Sequence, residues 1–390
     1  ALRLLGTFPL QWALSGALVV ALALALAAGS RLARVRPCRP HLVLLLVLIP
    51  ACASLYLLLR ASFVSQVDAA HADMEDGRFE SALALFEQLP ARYSSLRHAV
   101  PDSLQGIAKA EYAWAEQLRK AGDYEGAVEH FTQVGVLEID AEWDSAARLA
   151  VIDTQYEWAE ALRNEGEYDA AIAKYEQIIA QWPDTVADQR ARDSMAESYV
   201  EHATLLRATG RYEEALASAR YAADNFPQSA ASAEADRARA QIIYEWAIYL
   251  WQNGNFPEAQ DRLESVMHEY PDSYEATQAQ AAMPELRLEW ALDLAEQSQY
   301  LTAVARLEEI ERQHAGTAVA ARAAEEARRV QSAHLQHVRG IRAQGEFASA
   351  VEQYEHMLEA YPQRATEVQN AKAETLLAWA EEERASGNYE

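Results

Sequence analysis

The sequence predicts an all-α protein in which two transmembrane helices precede an α-solenoid of stacked helical hairpins. Three observations lead to this prediction. A glycine followed two residues later by an aromatic residue recurs along the chain, two long uncharged segments lie in the first sixty residues, and the rest of the chain contains almost no long apolar run. A repeat spacing of 42–47 residues is typical of helix pairs that bury their apolar faces against neighbouring pairs.

The predicted membrane domain comprises residues 1–60. Its two helices, at about 10–28 and 42–59, contain 19 and 18 uncharged residues, close to the number that crosses a bilayer as a helix. The loop between them, residues 29–41, carries four arginines, whereas Arg3 and Arg60 stand alone at the outer ends. The positive-inside rule therefore places the loop in the cytoplasm and both outer ends on the opposite side. A cleaved signal peptide is the alternative, but two apolar segments joined by a basic turn fit a helical hairpin better.

After a short connection at residues 61–67, the repeats fill residues 68–390 as seven complete copies and a partial eighth. The turn positions, each a small residue followed by an aromatic at plus two, are Gly77/Phe79, Gly122/Tyr124, Gly166/Tyr168, Gly210/Tyr212, Gly254/Phe256, Ser298/Tyr300, Gly345/Phe347 and Gly387/Tyr389. Below, positions within a repeat are counted from this glycine or serine.

Residues around the glycine predict one helix on each side of it. Before it, a tryptophan at minus eight, a small residue at minus seven and an apolar residue at minus four form one helical stripe. After it, an alanine at plus five and a large apolar residue at plus nine indicate a second helix, with the alanine allowing close approach of the backbones. The glycine itself suits the left-handed conformation that ends a helix. An aromatic-proline pair closes the second helix at Trp182-Pro183, Phe226-Pro227, Tyr270-Pro271 and Tyr361-Pro362.

This order of glycine, aromatic, alanine, aromatic and proline resembles the tetratricopeptide (TPR) repeat, and the spacing is similar to the long-period TPR-like repeats of bacterial envelope proteins. The resemblance implies a right-handed solenoid that binds proteins and lines its concave face with the first helix of each repeat. The usual repeat has 34 residues, and the additional ten should lengthen the first helix by about 15 Å. Repeats one and two lack the aromatic-proline pair, and repeat six has His314-Ala315 there and Ser298 in place of glycine.

The net charge of the chain disfavours some classes of binding partner. Because the first sixty residues carry six arginines and no acid, the net charge of −25 leaves −31 for residues 61–390. Such an acidic surface disfavours nucleic acid and is repelled by anionic lipid headgroups. A solvated helical surface is the plain interpretation, and attraction of a basic partner or of divalent cations is the alternative.

We find no motif for catalysis, cofactor binding or a metal centre in this sequence. His334 and His337 lie three residues apart on a predicted helix and could share a metal ion. However, His337 occupies the position that tryptophan holds in other repeats, which favours a packing role. The sequence therefore predicts a protein that is not an enzyme and has no cofactor.

Two rows of side chains on the first helices are candidates for binding a protein partner. The candidates at minus three are Arg119, Arg163, Arg207, Trp251, Arg342 and Arg384, with Ala295 at this position in repeat six, and those at minus ten are Tyr112, Tyr156 and Tyr244. Guanidinium groups repeated once per hairpin could bind carboxylates of an extended or helical partner. Alternatively, Glu116, Glu160 and Glu381 can pair with the arginines three residues after them, and the tyrosines can pack between repeats.

The sequence therefore predicts an integral membrane scaffold, placed by resemblance in a bacterial cytoplasmic membrane, with an extracytoplasmic array that binds other membrane-complex subunits. Residues 10–28 and 42–59 would contact the lipid bilayer. Two alternatives stay open: a self-associating subunit of an external lattice or filament, and a sensor or ligand-binding module with an output domain beyond residue 390. The eighth hairpin lacks its second helix, so we expect the chain to continue or a partner to cover it.

Overall fold

The computed structural model describes residues 40–387, with side chains from residue 48 onward. The first predicted transmembrane helix, most of the arginine-rich loop and Tyr389 lie outside the described residues. Within them the fold is all-α, as predicted. The α-helices are α1 Pro40–Glu75, α2 Phe79–Arg92, α3 Ala99–Ala121, α4 Tyr124–Val136, α5 Ala141–Asn164, α6 Tyr168–Gln181, α7 Val186–Ala208, α8 Tyr212–Asn225, α9 Ala230–Gln252, α10 Phe256–Glu269, α11 Tyr274–Glu296, α12 Tyr300–Gln313, α13 Ala318–Ala343, α14 Phe347–Ala360 and α15 Ala365–Ser386, with a 3₁₀ turn at Pro362–Arg364.

Long and short helices alternate as consecutive hairpins. From α3 onward the first helix of each repeat has 22–26 residues, whereas the second helix of each complete repeat has 13 or 14. The additional residues of the long period therefore lie in the first helices, as predicted. The chain divides into two compact units, Ala1–Ala191 and Arg192–Glu390, with the division inside α7.

The glycine of each repeat adopts the left-handed conformation that the sequence predicts. All seven glycines at this position have φ between +74° and +86°. At Gly122, for example, its N–H donates to the Arg119 carbonyl at 3.1 Å and the next N–H donates to the Leu118 carbonyl at 3.0 Å. These bonds satisfy carbonyl groups that the end of the helix would otherwise leave unpaired. Ser298 adopts the same conformation with φ +64°, although its β-carbon makes that conformation unfavourable.

The core of each hairpin lies between its two helices. The alanine at plus five is fully buried in every complete repeat, at Ala82, Ala127, Ala171, Ala215, Ala259, Ala303 and Ala350. The large residue at plus nine is also fully buried at Phe86, Phe131, Tyr175, Leu263, Leu307 and Tyr354. A small residue beside a large one lets the helix backbones approach while side chains fill the remaining space.

The aromatic residue at plus sixteen ends the second helix in most repeats. Trp182 and Tyr270 are the C-terminal caps of α6 and α10, and the Ser273 hydroxyl then accepts the Ala276 N–H at 3.0 Å to begin α11. Repeat one has no proline here, yet Tyr93 fills the same position and is 3% exposed. Repeat two differs, because Glu138 occupies this position with φ +48°.

The second predicted transmembrane segment, residues 42–59, lies in α1. This helix continues through the predicted connection at 61–67 and becomes the first helix of repeat one. Phe63 packs edge-to-face on Tyr93 at 5.5 Å between ring centroids, and Ala70 is fully buried. Within α1, the segment Leu48–Glu75 has a mean hydropathy of 1.6 and is long and apolar enough to cross a membrane. No other helix among the described residues meets these criteria.

The left-handed turn of repeat six makes the first testable prediction. Ser298→Gly should raise the free energy of unfolding by up to about 1 kcal/mol, because loss of the β-carbon relieves backbone strain. This gain should exceed the loss of stability that comes from the greater conformational freedom of glycine in the unfolded chain. Gly210→Ala should lower it by about 1 kcal/mol. A β-carbon at Gly210 would meet no atom within 4 Å, so the loss would come from backbone conformation alone.

Urea denaturation followed by helical circular dichroism measures both changes. Ser298→Ala is the matched control, because alanine keeps the β-carbon and should not stabilise the turn. An equal rise in urea midpoint for Ser298→Gly and Ser298→Ala would contradict this account of the strain.

Candidate functional site

The minus-three side chains lie in the last turn of the first helices, where they join neighbouring repeats. Arg119 contacts Glu116 of its own helix at 3.0 Å and Glu157 of the next repeat at 3.7 Å. Arg207 forms an ion pair with Glu245 of the next repeat. Of the three ion pairs predicted within one helix, Arg119 with Glu116 and Arg163 with Glu160 at 3.5 Å are present, whereas the described residues show none between Arg384 and Glu381.

Other members of this row behave similarly. Trp251 replaces arginine and donates its indole N–H to Glu289 of the next repeat at 2.6 Å. Arg342 contacts Glu374 at 3.5 Å, and Arg384 is exposed in the last turn of α15. Glu157, Glu245 and Glu289 all lie nine residues before the glycine of their repeat. A partner carboxylate that binds these arginines would have to compete with an ion pair between repeats.

The three tyrosines at minus ten are half-buried. Tyr112 packs edge-to-face on Phe131 at 4.9 Å between ring centroids, and Tyr156 lies 5.8 Å from Tyr175. Tyr244 packs against the buried cluster around Leu263. Burial raises the pKa of Tyr112 and of Tyr244 because it disfavours the phenolate. These side chains therefore contribute much of their apolar area to packing within the array.

Apolar side chains near the end of α9 interrupt the charged surface of the first helices. Tyr249 is 49% exposed at minus five, where repeats two and six have the polar residues Gln117 and Asp293 and repeat four has Leu205, which is 46% exposed. Ile248 and Trp251 line a groove beside it together with Phe256, Glu289 and Asp293. We call Ile248, Tyr249 and Trp251 the repeat-five patch. The sequence analysis singled out Trp251 alone, although the apolar residue at minus five was visible.

The tryptophan at minus eight lies between two repeats. One face stacks on the plus-two aromatic of the preceding repeat, with centroids 6.0–6.4 Å apart and rings within 17° of parallel, in Phe79/Trp114, Tyr124/Trp158, Tyr212/Trp246 and Phe347/Trp379. A side chain at plus eight of its own repeat covers the ring, in Trp114/His130, Trp158/Lys174, Trp246/Arg262 and Trp290/Arg306. Each such tryptophan thus connects consecutive hairpins.

The residue at plus eight was missed by the sequence analysis. It is histidine, lysine or arginine in the four complete repeats with tryptophan at minus eight, but it is Ser218 or Gln353 where His202 or His337 replaces the tryptophan. Pairing of the two positions along this one chain was the signal that could have identified the contact. Burial lowers the pKa of Lys174 and of Arg306, as expected for cations partly withdrawn from water against an aromatic face.

The histidine pair of repeat seven takes part in packing. Tyr300 stacks on His334 at 4.9 Å and lies 5.4 Å from His337 between ring centroids. His334 is 2% exposed and hydrogen-bonds through Nδ1 with the Tyr361 hydroxyl at 3.2 Å, and burial lowers its pKa. Between residues 40 and 387 no group of three or more His, Cys, Asp or Glu side chains is placed to hold a metal ion.

Comparisons with known proteins agree with the repeat assignment. Residues 156–230 match a family model described as tetratricopeptide repeat. No curated protein matches the chain. Similar solved structures include the TPR domain of P58(IPK), which is 13% identical, with 82% of this chain and 99% of that chain covered and a TM-score of 0.18. The TPR2AB domain of yeast Sti1 in complex with pHSP90 is 15% identical, with 70% and 99% covered and a TM-score of 0.21. A tetratricopeptide repeat protein from Parabacteroides merdae is 12% identical, with 81% and 99% covered and a TM-score of 0.18.

The contact between Trp290 and Arg306 gives a prediction for the array. In a double-mutant cycle with Trp290→Leu and Arg306→Met, we expect a coupling free energy of about 1 kcal/mol, because the guanidinium lies 3.6 Å from the ring centroid and is partly desolvated. Urea denaturation of the four proteins provides the measurement.

The control cycle uses Arg329→Met and Glu325→Gln, an ion pair in which both side chains are more than half exposed. We expect a coupling of about 0.5 kcal/mol or less for this pair, because water screens it. Equal coupling in the two cycles would show that the cation over tryptophan contributes no more than a surface ion pair.

Proposed function

Because this chain carries tetratricopeptide repeats, which form protein-interaction scaffolds and are typically not catalytic, we propose that it is a membrane-anchored scaffold for a membrane or envelope complex. In this proposal the chain performs no chemistry of its own. Its repeats bind protein subunits on the extracytoplasmic side of a bacterial cytoplasmic membrane, and its N-terminal segments hold the array at the bilayer. The continuity of α1 is the observation that carries the proposal.

Helix α1 couples the apolar segment directly to the repeats. A flexible tether would let the array move freely relative to the bilayer. Here one helix of 36 residues contains the apolar segment and also packs Phe63 and Ala70 against repeat one. Any force or orientation imposed on the apolar end would therefore be transmitted to the first hairpin.

The exposure of the apolar part of α1 supports its placement in lipid. Only 6% of the apolar window is buried within the protein, and Ile49, Leu55 and Leu57 are 64%, 59% and 52% exposed. The core helix of a soluble domain would bury such side chains against its neighbours. A bilayer would cover them on all sides, since lipid tails are as apolar as leucine.

The charge distribution supports an orientation. Four arginines lie between the two apolar segments, and residues 61–390 carry a net charge of −31. The arginines favour retention of their loop in the cytoplasm, which leaves the acidic array on the other side. Repulsion from anionic headgroups would hold the array away from the lipid surface and leave it accessible to partners.

For the binding surface, we propose the row of minus-three side chains together with the tyrosines at minus ten, with the repeat-five patch as its apolar anchor. Half-exposed aromatic side chains surrounded by polar groups are frequent sites of strong binding. Glu289 and Asp293 beside the patch favour a partner that combines apolar anchors with basic residues.

The proposed topology can be tested by fusing alkaline phosphatase after Gly387 in the full chain. We expect an active fusion, because the enzyme folds only outside the cytoplasm. Replacing the four loop arginines, Arg31, Arg34, Arg36 and Arg39, by serine should reduce phosphatase activity, because the signal that retains the loop is lost. The control replaces four exposed arginines of the array, Arg97, Arg237, Arg312 and Arg328. An inactive fusion with the native loop would refute the extracytoplasmic placement.

The proposed surface can be tested by purifying the full chain from native membranes in mild detergent and quantifying subunits that co-purify at fixed stoichiometry. Tyr249→Gln with Trp251→Arg gives the patch the residue types of repeat two, Gln117 and Arg119, so folding should persist. We expect these substitutions to weaken retention of at least one subunit by about tenfold. Tyr274→Gln, at a tyrosine 72% exposed elsewhere, is the control. Recovery of the native chain alone, or unchanged retention by the patch variant, would count against this surface.

A further inference from the structure

Repeat two leaves a groove in the first compact unit, and its lining includes no residue of the repeat-five patch. It has a volume of about 760 Å³ and runs along α5, between the end of α4 and the end of α6. Phe131, Val151 and Trp182 provide its apolar lining, and Val136 at its edge is 68% exposed. We call this feature the repeat-two groove.

The groove exists because repeat two departs from the pattern of the other repeats. Gly135 stands at plus thirteen, where three other repeats carry the large apolar residues Ile179, Met267 and Leu358 and the remaining three carry Pro90, Ala223 and Glu311. Glu138 stands at plus sixteen in place of the aromatic cap. A β-carbon at Gly135 would meet no atom within 4 Å, so the missing side chain leaves open space.

Two side chains of the lining each have a buried acceptor without a hydrogen-bond partner. Gln155 is 9% exposed, and while its Nε2 donates to Gln181 at 3.4 Å, its Oε1 accepts nothing. Oδ1 of Asp144 is also buried and unpaired. Both side chains line the groove. Buried acceptors without a partner are rare in folded proteins and cost free energy until a donor reaches them.

The distance between these acceptors indicates what kind of ligand the groove could bind. Asp144 and Gln155 are eleven residues apart on α5, which places them about 16 Å apart along the helix axis. An extended peptide covers that distance with about five residues, at roughly 3.3 Å each. Its N–H groups match this spacing and could pair with both acceptors after the Asp144 and Gln155 side chains rotate towards the groove, while its own side chains pack on the apolar lining.

From this arrangement we propose that the repeat-two groove binds an extended segment of a partner protein in which apolar residues lie beside a lysine or arginine. The apolar residues contact Phe131, Val151 and Trp182, and the basic side chain donates to Asp144. The lining holds two acidic residues, Glu138 and Asp144, against one basic residue, Arg148, and together with the net charge of −31 on residues 61–390 this favours a cationic segment. This site goes beyond the proposed scaffold surface, since its lining contains no residue of the repeat-five patch, of the minus-three row or of the minus-ten tyrosines.

The test selects linear twelve-residue peptides from a random phage-displayed library on the full chain in detergent micelles, and then measures binding of synthetic, fluorescein-labelled versions by anisotropy. Gly135→Leu fills the groove, and we expect it to weaken binding about tenfold or more. Gly340→Leu is the matched control, because Gly340 is also a helical glycine whose β-carbon would meet no atom within 4 Å. A leucine favours the helix at both positions, so neither variant should fail to fold.

A second pair of variants tests the charge. Asp144→Asn should weaken binding of the selected peptides about threefold to tenfold and reduce its dependence on salt, whereas Asp153→Asn, at an exposed aspartate of the same helix, should not. Enriched peptides that lack a basic residue, or that bind Gly135→Leu and Gly340→Leu equally, would overturn the proposal. So would a small molecule that native mass spectrometry finds retained by the native chain and lost from Gly135→Leu. Failure of the repeat-five patch in its own test would leave this result unaffected.

Discussion

The contact of the minus-eight tryptophan with two repeats is the interaction on which the array depends. A helical hairpin exposes apolar faces that only a neighbouring hairpin can cover, so stability in such arrays resides largely in the interfaces between repeats. Trp158 shows how one side chain makes that interface, since Tyr124 of the preceding repeat stacks on it and Lys174 of its own repeat lies 3.3 Å from its ring centroid. Because the ring is shared, loss of either neighbour exposes it.

Where His202 replaces tryptophan, the cation at plus eight is also absent and the serine there, Ser218, donates instead to the Tyr199 carbonyl at 2.8 Å.

Local requirements were the part of the fold that the sequence could predict. A left-handed turn favours glycine, and a close helix contact favours alanine, so both positions are recognisable without knowing which helices meet. Contacts between residues far apart in the sequence could not be predicted in this way. Tyr93 caps repeat one without the proline that marks the other caps, and it is buried because Phe63 of α1 packs on it. That contact depends on α1 continuing through residues 61–67, where the composition of the chain suggested a boundary.

The candidate binding residues show the same limit. Pairing of Arg119 with Glu116 follows from helical geometry and was predicted, but its second contact with Glu157 depends on how the next repeat stacks. The side chains of the minus-three row therefore already stabilise interfaces between repeats. The free energy of binding a partner there would be only the difference between the new contacts and the existing contacts that they displace. An exposed apolar group such as Tyr249 has no competing polar contact to lose and gains from any burial. This asymmetry explains why the repeat-five patch is a stronger candidate anchor than the arginines that the sequence analysis emphasised.

Departures from the repeat pattern are informative because the pattern itself defines what stacking requires. Trp251 in place of arginine and Glu138 in place of an aromatic cap leave the helices α9 and α4 intact, yet one creates an apolar surface and the other a groove. Neither substitution improves packing: Trp251 remains partly exposed, and acceptors of Asp144 and Gln155 in the groove beside Glu138 are unpaired. A local cost of this kind is typical of positions that serve binding rather than folding.

The two sites lie in different compact units, and α1 joins the first of these units to the apolar segment. A partner bound in the repeat-two groove would therefore contact the compact unit that also contains the apolar part of α1.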